Sequence, residues 1–323
     1  MTQEIRTVAI VGCGVIGMGW AALFLSRGLR VIISDPAPGA HDALKKYLEQ
    51  ARPFFEGRGD FEKLAGNFEF VKDIVPRLAE AEFVQENGPE RQDFKRELFK
   101  TLDEHTRPGV VIASSSSGLP SSAFIQDCGN DPSRILIGHP FNPPHLIPLV
   151  EVVPNPRTSK HCISTTIDFY QSLGKRPILL HQEVPGFVSN RLQAAINNEA
   201  YSLISRGIVS AEDLDLAVTQ GPGLRWALAG PIVTNALGGG DGPEGFAQRI
   251  DRLGPAIRSW EDDMVRNRFD WSEPRLSALQ ERVNESLRTT DWANLVEERD
   301  AVLVQLLAAK EKTRTMGSGQ PQA

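Results

Sequence analysis

The chain is predicted to be α/β, with a doubly wound parallel sheet in its first half and an all-α second half, on the strength of three observations. Short apolar runs alternate with helical segments from the N-terminus to about residue 180, as they do where strands are laid parallel by crossover helices. The first run, Val8-Ala-Ile-Val11, leads straight into a glycine-rich turn and then into a helical stretch, Met18–Ser26. Beyond Val184-Pro-Gly-Phe187 the strand runs stop and helix-period segments take over.

The turn is Gly12-Cys-Gly14-Val-Ile-Gly17, a G-x-G-x-x-G spacing. Its first glycine permits the tight exit from the strand, its second lets a pyrophosphate approach the backbone, and its third lets helix and strand pack closely. Gly12, Gly14, Val15, Ile16 and Gly17 are therefore candidate cofactor-binding residues. The pyrophosphate would lie on unpaired amides at the positive end of the helix dipole. Arg30-Val-Ile-Ile-Ser-Asp35 reads as the second strand, ending in an acid placed for both hydroxyls of an adenosine ribose. A carboxylate there repels the extra phosphate of NADP, so the expected cofactor is NAD and the sheet Rossmann-like.

The strand candidates in order are Val8–Val11, Val31–Ser34, Phe83–Gln85, Val110–Ala113, Ile135–Ile137 and Leu149–Val153, with Pro177–Leu180 a further short run. Helical segments at Ala40–Phe55, Glu90–Glu104 and Thr158–Leu173 separate most of them. The first of these continues into Gly57-Arg-Gly-Asp60 and reads as a long connection between strands two and three, a candidate arm toward a substrate. The second half contributes Phe187–Arg206, Ala211–Thr219, Leu276–Arg288 and Asn294–Lys312, with Ser210 and Asp213 as a helix-starting pair. The domain boundary is set at Pro185-Gly186. Residues 1–185 form the nucleotide-binding domain, 186–312 a helical second domain, and 313–323 a polar tail predicted to be disordered.

Bulk properties narrow the function. A chain of 323 residues exceeds what one core usually serves. Thirty-five basic against 41 acidic side chains leave a formal charge of −6, which argues against nucleic-acid and anionic-membrane partners. No run approaches a transmembrane span, and Met-Thr-Gln-Glu-Ile-Arg6 lacks the apolar core of a signal peptide. Three scattered cysteines, Cys13, Cys128 and Cys162, fit a reducing compartment, so a cytoplasmic protein is expected. Cys13, beside the helix start, reads either as an oxidisable thiol of lowered pKa or as a small filler in the turn. No metal-ligand spacing is present.

Four residues could carry chemistry. Ser117 lies in Ala113-Ser-Ser-Ser-Ser-Gly-Leu119, a loop following a strand, where open α/β sheets bind ligands. His139 lies in Gly138-His-Pro-Phe-Asn-Pro-Pro144, again after a strand, and the prolines stiffen it together with Asn142. Glu151 is an acid inside the apolar run Leu149-Val-Glu-Val-Val153, costly to bury without a partner. A neighbouring histidine would be that partner, and a His–Glu pair orients the imidazole and raises its proton affinity, as a general base needs. Asn190, in the first turns of the helix opening the second domain, could donate its amide to a substrate oxygen.

Taken together, the serine loop, the His-Pro-Phe-Asn-Pro turn, Leu-Val-Glu-Val and Pro185-Gly-Phe-Val-Ser-Asn-Arg191 resemble, in this order, the 3-hydroxyacyl-CoA dehydrogenase superfamily. The branch of lambda-crystallin, the L-gulonate 3-dehydrogenases, is the most similar, through Gly14-Val-Ile-Gly-Met-Gly-Trp20, Gln85-Glu-Asn-Gly-Pro-Glu90 and Gly223-Leu-Arg225. L-carnitine dehydrogenases look similar at Gly221-Pro-Gly-Leu-Arg-Trp226. The resemblance implies His139 as catalytic base, Glu151 as its partner, Ser117 on the reacting hydroxyl and Asn190 on the substrate oxygen. It also implies Glu90, Lys95, Asn142 and Ser117 as NAD contacts, and a homodimer formed through the helical domain. Asn87-Gly88 and Thr234–Asp241 depart from the gulonate pattern.

For the substrate, Arg225 could grip a carboxylate bidentately or form an inter-segment salt bridge. Lys45, Lys46, Arg52 and Arg58 on the arm could instead hold a CoA tail, and Trp226 or Trp260 a trimethylammonium group. The reading is NAD-dependent oxidation of a small L-3-hydroxy acid, gulonate-like. The alternatives are L-carnitine, a CoA thioester, or a non-catalytic NAD(H)-binding protein.

Overall fold

The computed structural model describes residues 4–240 and 242–313. The tail expected over 313–323 therefore lies, past Thr313, outside the described residues, as does Asp241. Cα packing divides the chain into two compact units, one through Arg191 and one from Leu192. The division falls inside a helix, later than Pro185-Gly186.

In the first unit the elements run β1 Thr7–Val11, α1 Val15–Ser26, β2 Arg30–Ser34, α2 Ala40–Gln50, α3 Arg52–Phe55, α4 Phe61–Ala65, β3 Phe68–Val71, β4 Phe83–Glu86, α5 Gln92–His105, β5 Val111–Ser114, β6 Ile135–Pro140, β7 Leu149–Pro154, α6 Lys160–Ser172 and β8 Arg176–Leu179. The eight strands form one sheet in the order β3-β2-β1-β4-β5-β6-β7-β8. Side chains alternate across it. Val8 and Ile10 of β1 pack with Trp20, Leu23 and Phe24 of α1 on one face, while Ala9 and Val11 pack with Phe99, Leu102 and Phe124 on the other. This two-sided burial produces the near-continuous apolar runs that betray a parallel sheet.

Three features add to the sequence reading. β3 goes unseen in the sequence because Phe68-Glu-Phe-Val71 is a short, half-buried edge strand carrying an acid. The segment read as an arm toward a substrate is anchored along one face: Leu44, Leu48, Ala51, Phe55 and Ala65 belong to the same core as Trp20. The sheet is also not parallel throughout. β7 runs antiparallel to β6, since the few residues between Pro140 and Leu149 cannot provide the crossover a parallel pair requires.

The second unit is helical. α7 Ser189–Ser205 begins in the first unit and runs into it, followed by α8 Ala211–Gln220, α9 Pro222–Leu237, α10 Gly242–Arg266, α11 Glu273–Leu287 and α12 Trp292–Glu311. Ser210 caps α8 as expected, its Oγ accepting the amide of Asp213 at 3.0 Å. Neither α9 nor α10 is legible in full, because Gly230 and Pro231 break the first and Pro255 lies inside the second. At Gly230 the chain turns through φ 70°, kinking α9 between two helical stretches. A small core joins Ile204, Phe269 and Leu279. No helix among the described residues is long and apolar enough to cross a membrane.

Candidate active site

The glycine turn has the geometry its spacing implies. Gly12 has φ 93°, and a Cβ there would meet the Asn87 backbone at 2.8 Å. A Cβ on Gly17 would lie 2.1 Å from the Gly12 carbonyl oxygen, whereas the space beside Gly14 is open. No side chain among the described residues caps α1, so its first amides are available to an anion. Asp35 accepts the Cys13 and Ala37 amides, each at 2.7 Å, one on each oxygen. A carboxylate has about four acceptor sites, which leaves room for two ribose hydroxyls. Burial pushes the Cys13 thiol up to about 12, helped by the Asp35 charge. It is therefore a filler in the turn and not an activated thiol.

Next to this turn the serine loop is tightly fastened. Glu90 Oε1 accepts the Ser116 hydroxyl at 2.7 Å and the amides of Ser117, Gly118 and Leu119 at 3.0–3.1 Å. Partial burial pushes the Glu90 carboxyl up, but the Ser116 hydroxyl and the Leu119 and Gly118 amides outweigh it and hold it below the usual range. Asn190 Nδ2 donates to the Ser117 carbonyl at 2.5 Å, so the predicted substrate amide is here also a tie on the serine loop. Asn142 is exposed, just past β6.

Lys95, expected as a cofactor contact, has an internal partner. Its side chain is fully buried, with Nζ 2.9 Å from both oxygens of Glu86, itself fully buried. Glu86 also accepts the Ser114 hydroxyl at 2.5 Å and the Gly88 amide at 2.6 Å. The pair is a satisfied internal brace of the loop carrying Glu90, and its ammonium faces the protein interior. Glu86 gave no sequence signal as a partner, because an acid at a strand end reads equally as solvated.

His139 lies within β6, not in a loop after it, and the antiparallel register sets it directly opposite Glu151. His139 Nδ1 is 2.8 Å from Glu151 Oε2, and both residues are buried. The other oxygen, Oε1, accepts the amides of Val188 at 3.0 Å and Ser189 at 2.9 Å. Burial works to raise the Glu151 pKa, yet the His139 bond and the Ser189 and Val188 amides prevail and hold it below the usual carboxylate range. The imidazole is flanked by Phe141 and Phe187, with ring centroids at 5.2 and 5.6 Å. Such a pair keeps the Nδ1 proton on the acid's side and leaves Nε2 for proton transfer. Phe187 and Ser189 went unnoticed in the sequence, where only Asn190 of that segment was singled out.

A buried polar network supports the same strand ends. Tyr170 donates to Gln85 Oε1 at 2.7 Å, and Gln85 Nε2 and Trp20 Nε1 donate to Ser115 Oγ at 2.8 and 3.0 Å. Ser115 in turn donates to Asn87 Oδ1 at 2.7 Å. Arg225 belongs to the second unit, exposed on α9 and without an ion pair among the described residues.

Comparison with known proteins agrees with this geometry. Residues 7–184 match the NAD binding domain, and residues 186–283 the C-terminal domain, of 3-hydroxyacyl-CoA dehydrogenase. A 3-hydroxyacyl-CoA dehydrogenase of Gibberella moniliformis is 74% identical over 318 residues, 98% of this chain and 99% of its own length. An L-carnitine dehydrogenase of Streptomyces coelicolor is 44% identical over 308 residues, 95% of each chain. Among solved structures, a 5-formyl-3-hydroxy-2-methylpyridine 4-carboxylic acid 5-dehydrogenase, described as an NAD+ dependent dismutase, matches with a TM-score of 0.72. Its identity is 28%, over 96% of this chain and all of that one. With both domains matched in order around a glycine turn and a buried His–Glu pair, the chain belongs to the 3-hydroxyacyl-CoA dehydrogenase family of NAD-dependent oxidoreductases.

Proposed function

We propose that the protein oxidises the secondary hydroxyl of an L-3-hydroxy acid to the 3-keto acid, with His139 as general base. The observation that carries this reading is the buried 2.8 Å contact of His139 with Glu151. Bound NAD supplies the hydride acceptor. His139 Nε2 takes the hydroxyl proton, and Glu151 stabilises the imidazolium that results. Ser117 hydrogen-bonds the reacting hydroxyl, and Asn190 helps orient the substrate oxygen while steadying the Ser117 backbone. Gly12, Gly14, Val15, Ile16 and Gly17 hold the pyrophosphate, and Asp35 the adenosine ribose. Glu90 and Asn142 line the cofactor site. In the reverse direction the imidazolium returns the proton to the carbonyl oxygen, so holding the partners in near contact carries much of the rate.

A free carboxylate is favoured over a thioester for two reasons. Arg225 has no acidic partner among the described residues to compete for its guanidinium. Two of the arm's cations are engaged: Arg52 pairs with Glu49 and Glu62, and Arg58 lies 4.5 Å over the Phe54 ring. L-gulonate and L-carnitine are the two candidate acids, the second supported by relatives of that name at 44% and 41% identity. The CoA thioester is a second reading, favoured by the name of the 74% identical relative and by the exposed Lys45 and Lys46. Exposed Trp226, Ile232 and Val233 on α9 and Val302 on α12 support a homodimer through the helical unit. The three buried free cysteines are in keeping with a cytoplasmic setting.

NADH formation from L-gulonate, L-carnitine, L-3-hydroxybutyrate and L-3-hydroxybutyryl-CoA tests the proposal. Turnover of a free acid supports it, and turnover of the thioester alone selects the second reading. Silence across the series despite NADH binding would leave a non-catalytic dinucleotide-binding protein.

A further inference from the structure

Glu151 has two carboxylate oxygens, and the reaction above uses one of them. Oε2 meets the imidazole, while Oε1 accepts three hydrogen bonds from the start of α7. These come from the amides of Val188 and Ser189 and from the Ser189 hydroxyl at 3.2 Å. The carboxylate is wholly buried, so these donors, with His139, replace its water.

An unusual backbone aims the two amides. Phe187 has φ 52°, the one positive value outside glycine among the described residues, and it follows Gly186 at φ 75°. A left-handed residue leading into helical ones turns successive N–H groups toward a common point, an anion-holding concavity. A non-glycine residue in that region is strained and persists where its surroundings hold it. Here the Phe187 ring is completely buried against His139, and Gly186 is tied to the serine loop through its amide on the Gly118 carbonyl.

We propose that Ser189 is a positioning residue for the reaction: with the two amides presented by Phe187, its hydroxyl fixes the far oxygen of Glu151 and so sets the orientation and proton affinity of His139. This rests on the dehydrogenase reading, in which His139 takes the substrate proton. The hydroxyl is the donor of the three that a side-chain substitution removes. Three donors on Oε1 draw negative charge away from Oε2. Without the hydroxyl the carboxylate becomes more basic, grips the Nδ1 proton harder and stabilises the imidazolium. His139 then becomes a free base at higher pH, in a ring held less firmly.

The test compares full-length wild type with Ser189→Ala and Ser189→Thr, with Ser189→Gly as a second hydroxyl-free variant should Ala not fold. The expected result for Ala is a kcat about tenfold lower with KM nearly unchanged, and an acid limb of kcat/KM moved roughly half a pH unit upward. Thr restores both. An acid limb that stays in place in a folded Ala or Gly variant overturns the proposal, as does an equal loss in Ala and Thr. Histidine-labelled NMR of the cofactor-free protein gives a readout independent of turnover. The Nδ1 proton of His139 should move downfield in Ala, and an unmoved resonance overturns the proposal. A wild type that turns over no 3-hydroxy acid overturns the dehydrogenase reading and leaves the NMR result to decide on Ser189.

Discussion

His139 and Glu151 are cross-strand partners: they face each other in register on β6 and β7, the antiparallel pair of an otherwise parallel sheet, with Nδ1 2.8 Å from Oε2. The reversal in strand direction is what brings them together. A parallel β7 would need a long crossover between the two residues, and the tight link from Pro140 to Leu149 would be lost.

Replacing His139 with Gln removes the proton acceptor but keeps a polar side chain of similar length. Turnover should fall by about a thousandfold or more, while NADH affinity by fluorescence titration stays within a few-fold. Equal loss of both would mark the imidazole as structural.

Glu151 should leave a signature in acid. Its pKa is held below the ordinary carboxylate value in the folded protein. The unfolded chain therefore takes up this proton first as pH falls, and stability is lost as pH drops through the folded value. Glu151→Gln should be less stable than wild type at neutral pH, with the gap closing toward acid in thermal melts. Its kcat should fall about tenfold to a hundredfold, since an amide stabilises no imidazolium.

Lys175 gives a second window of the same sign at higher pH. Its ammonium is buried against the Trp20 ring at 5.3 Å and donates to the carbonyls of Pro144 and Ile147. Burial lowers its pKa from 10.5 to about 7. Between these values the unfolded chain binds the extra proton, so stability should rise with pH, at a slope approaching about 1.4 kcal/mol per pH unit. Denaturant titrations across that window should show the slope in wild type and its loss in Lys175→Met.

Asp35 governs cofactor choice. Asp35→Ala should lower kcat/KM for NAD about tenfold and narrow the preference over NADP. A wild type that uses NADP equally well would contradict the assignment of the second strand's terminal acid.

Much of the first unit was legible because its signals are local. Gly12, Gly14 and Gly17 sit next to the strand and helix they join, and Asp35 ends an apolar run. His139 and Glu151 could be paired in thought because a buried acid demands a partner. What escaped depended on distant contacts. Phe68–Val71 is a strand because β2 offers it an edge, and nothing within four residues announces that. Lys95 is a brace because Glu86 waits beneath it. Ser189 matters because Phe187 adopts a left-handed turn, which a phenylalanine gives no reason to expect. Gly230, Pro231 and Pro255 obscure the helical pattern of α9 and α10, where the first two form a kink and the third lies inside the helix.

The clasp of Glu90 on the serine loop bears on how a dinucleotide is received. Three consecutive backbone amides and the Ser116 hydroxyl converge on one carboxylate oxygen, so the loop's shape is dictated by the chain itself. Ordering of that segment is completed when the protein folds and need not recur at each encounter with NAD. The receptor is rigid in advance, and association there should proceed as docking onto a finished surface.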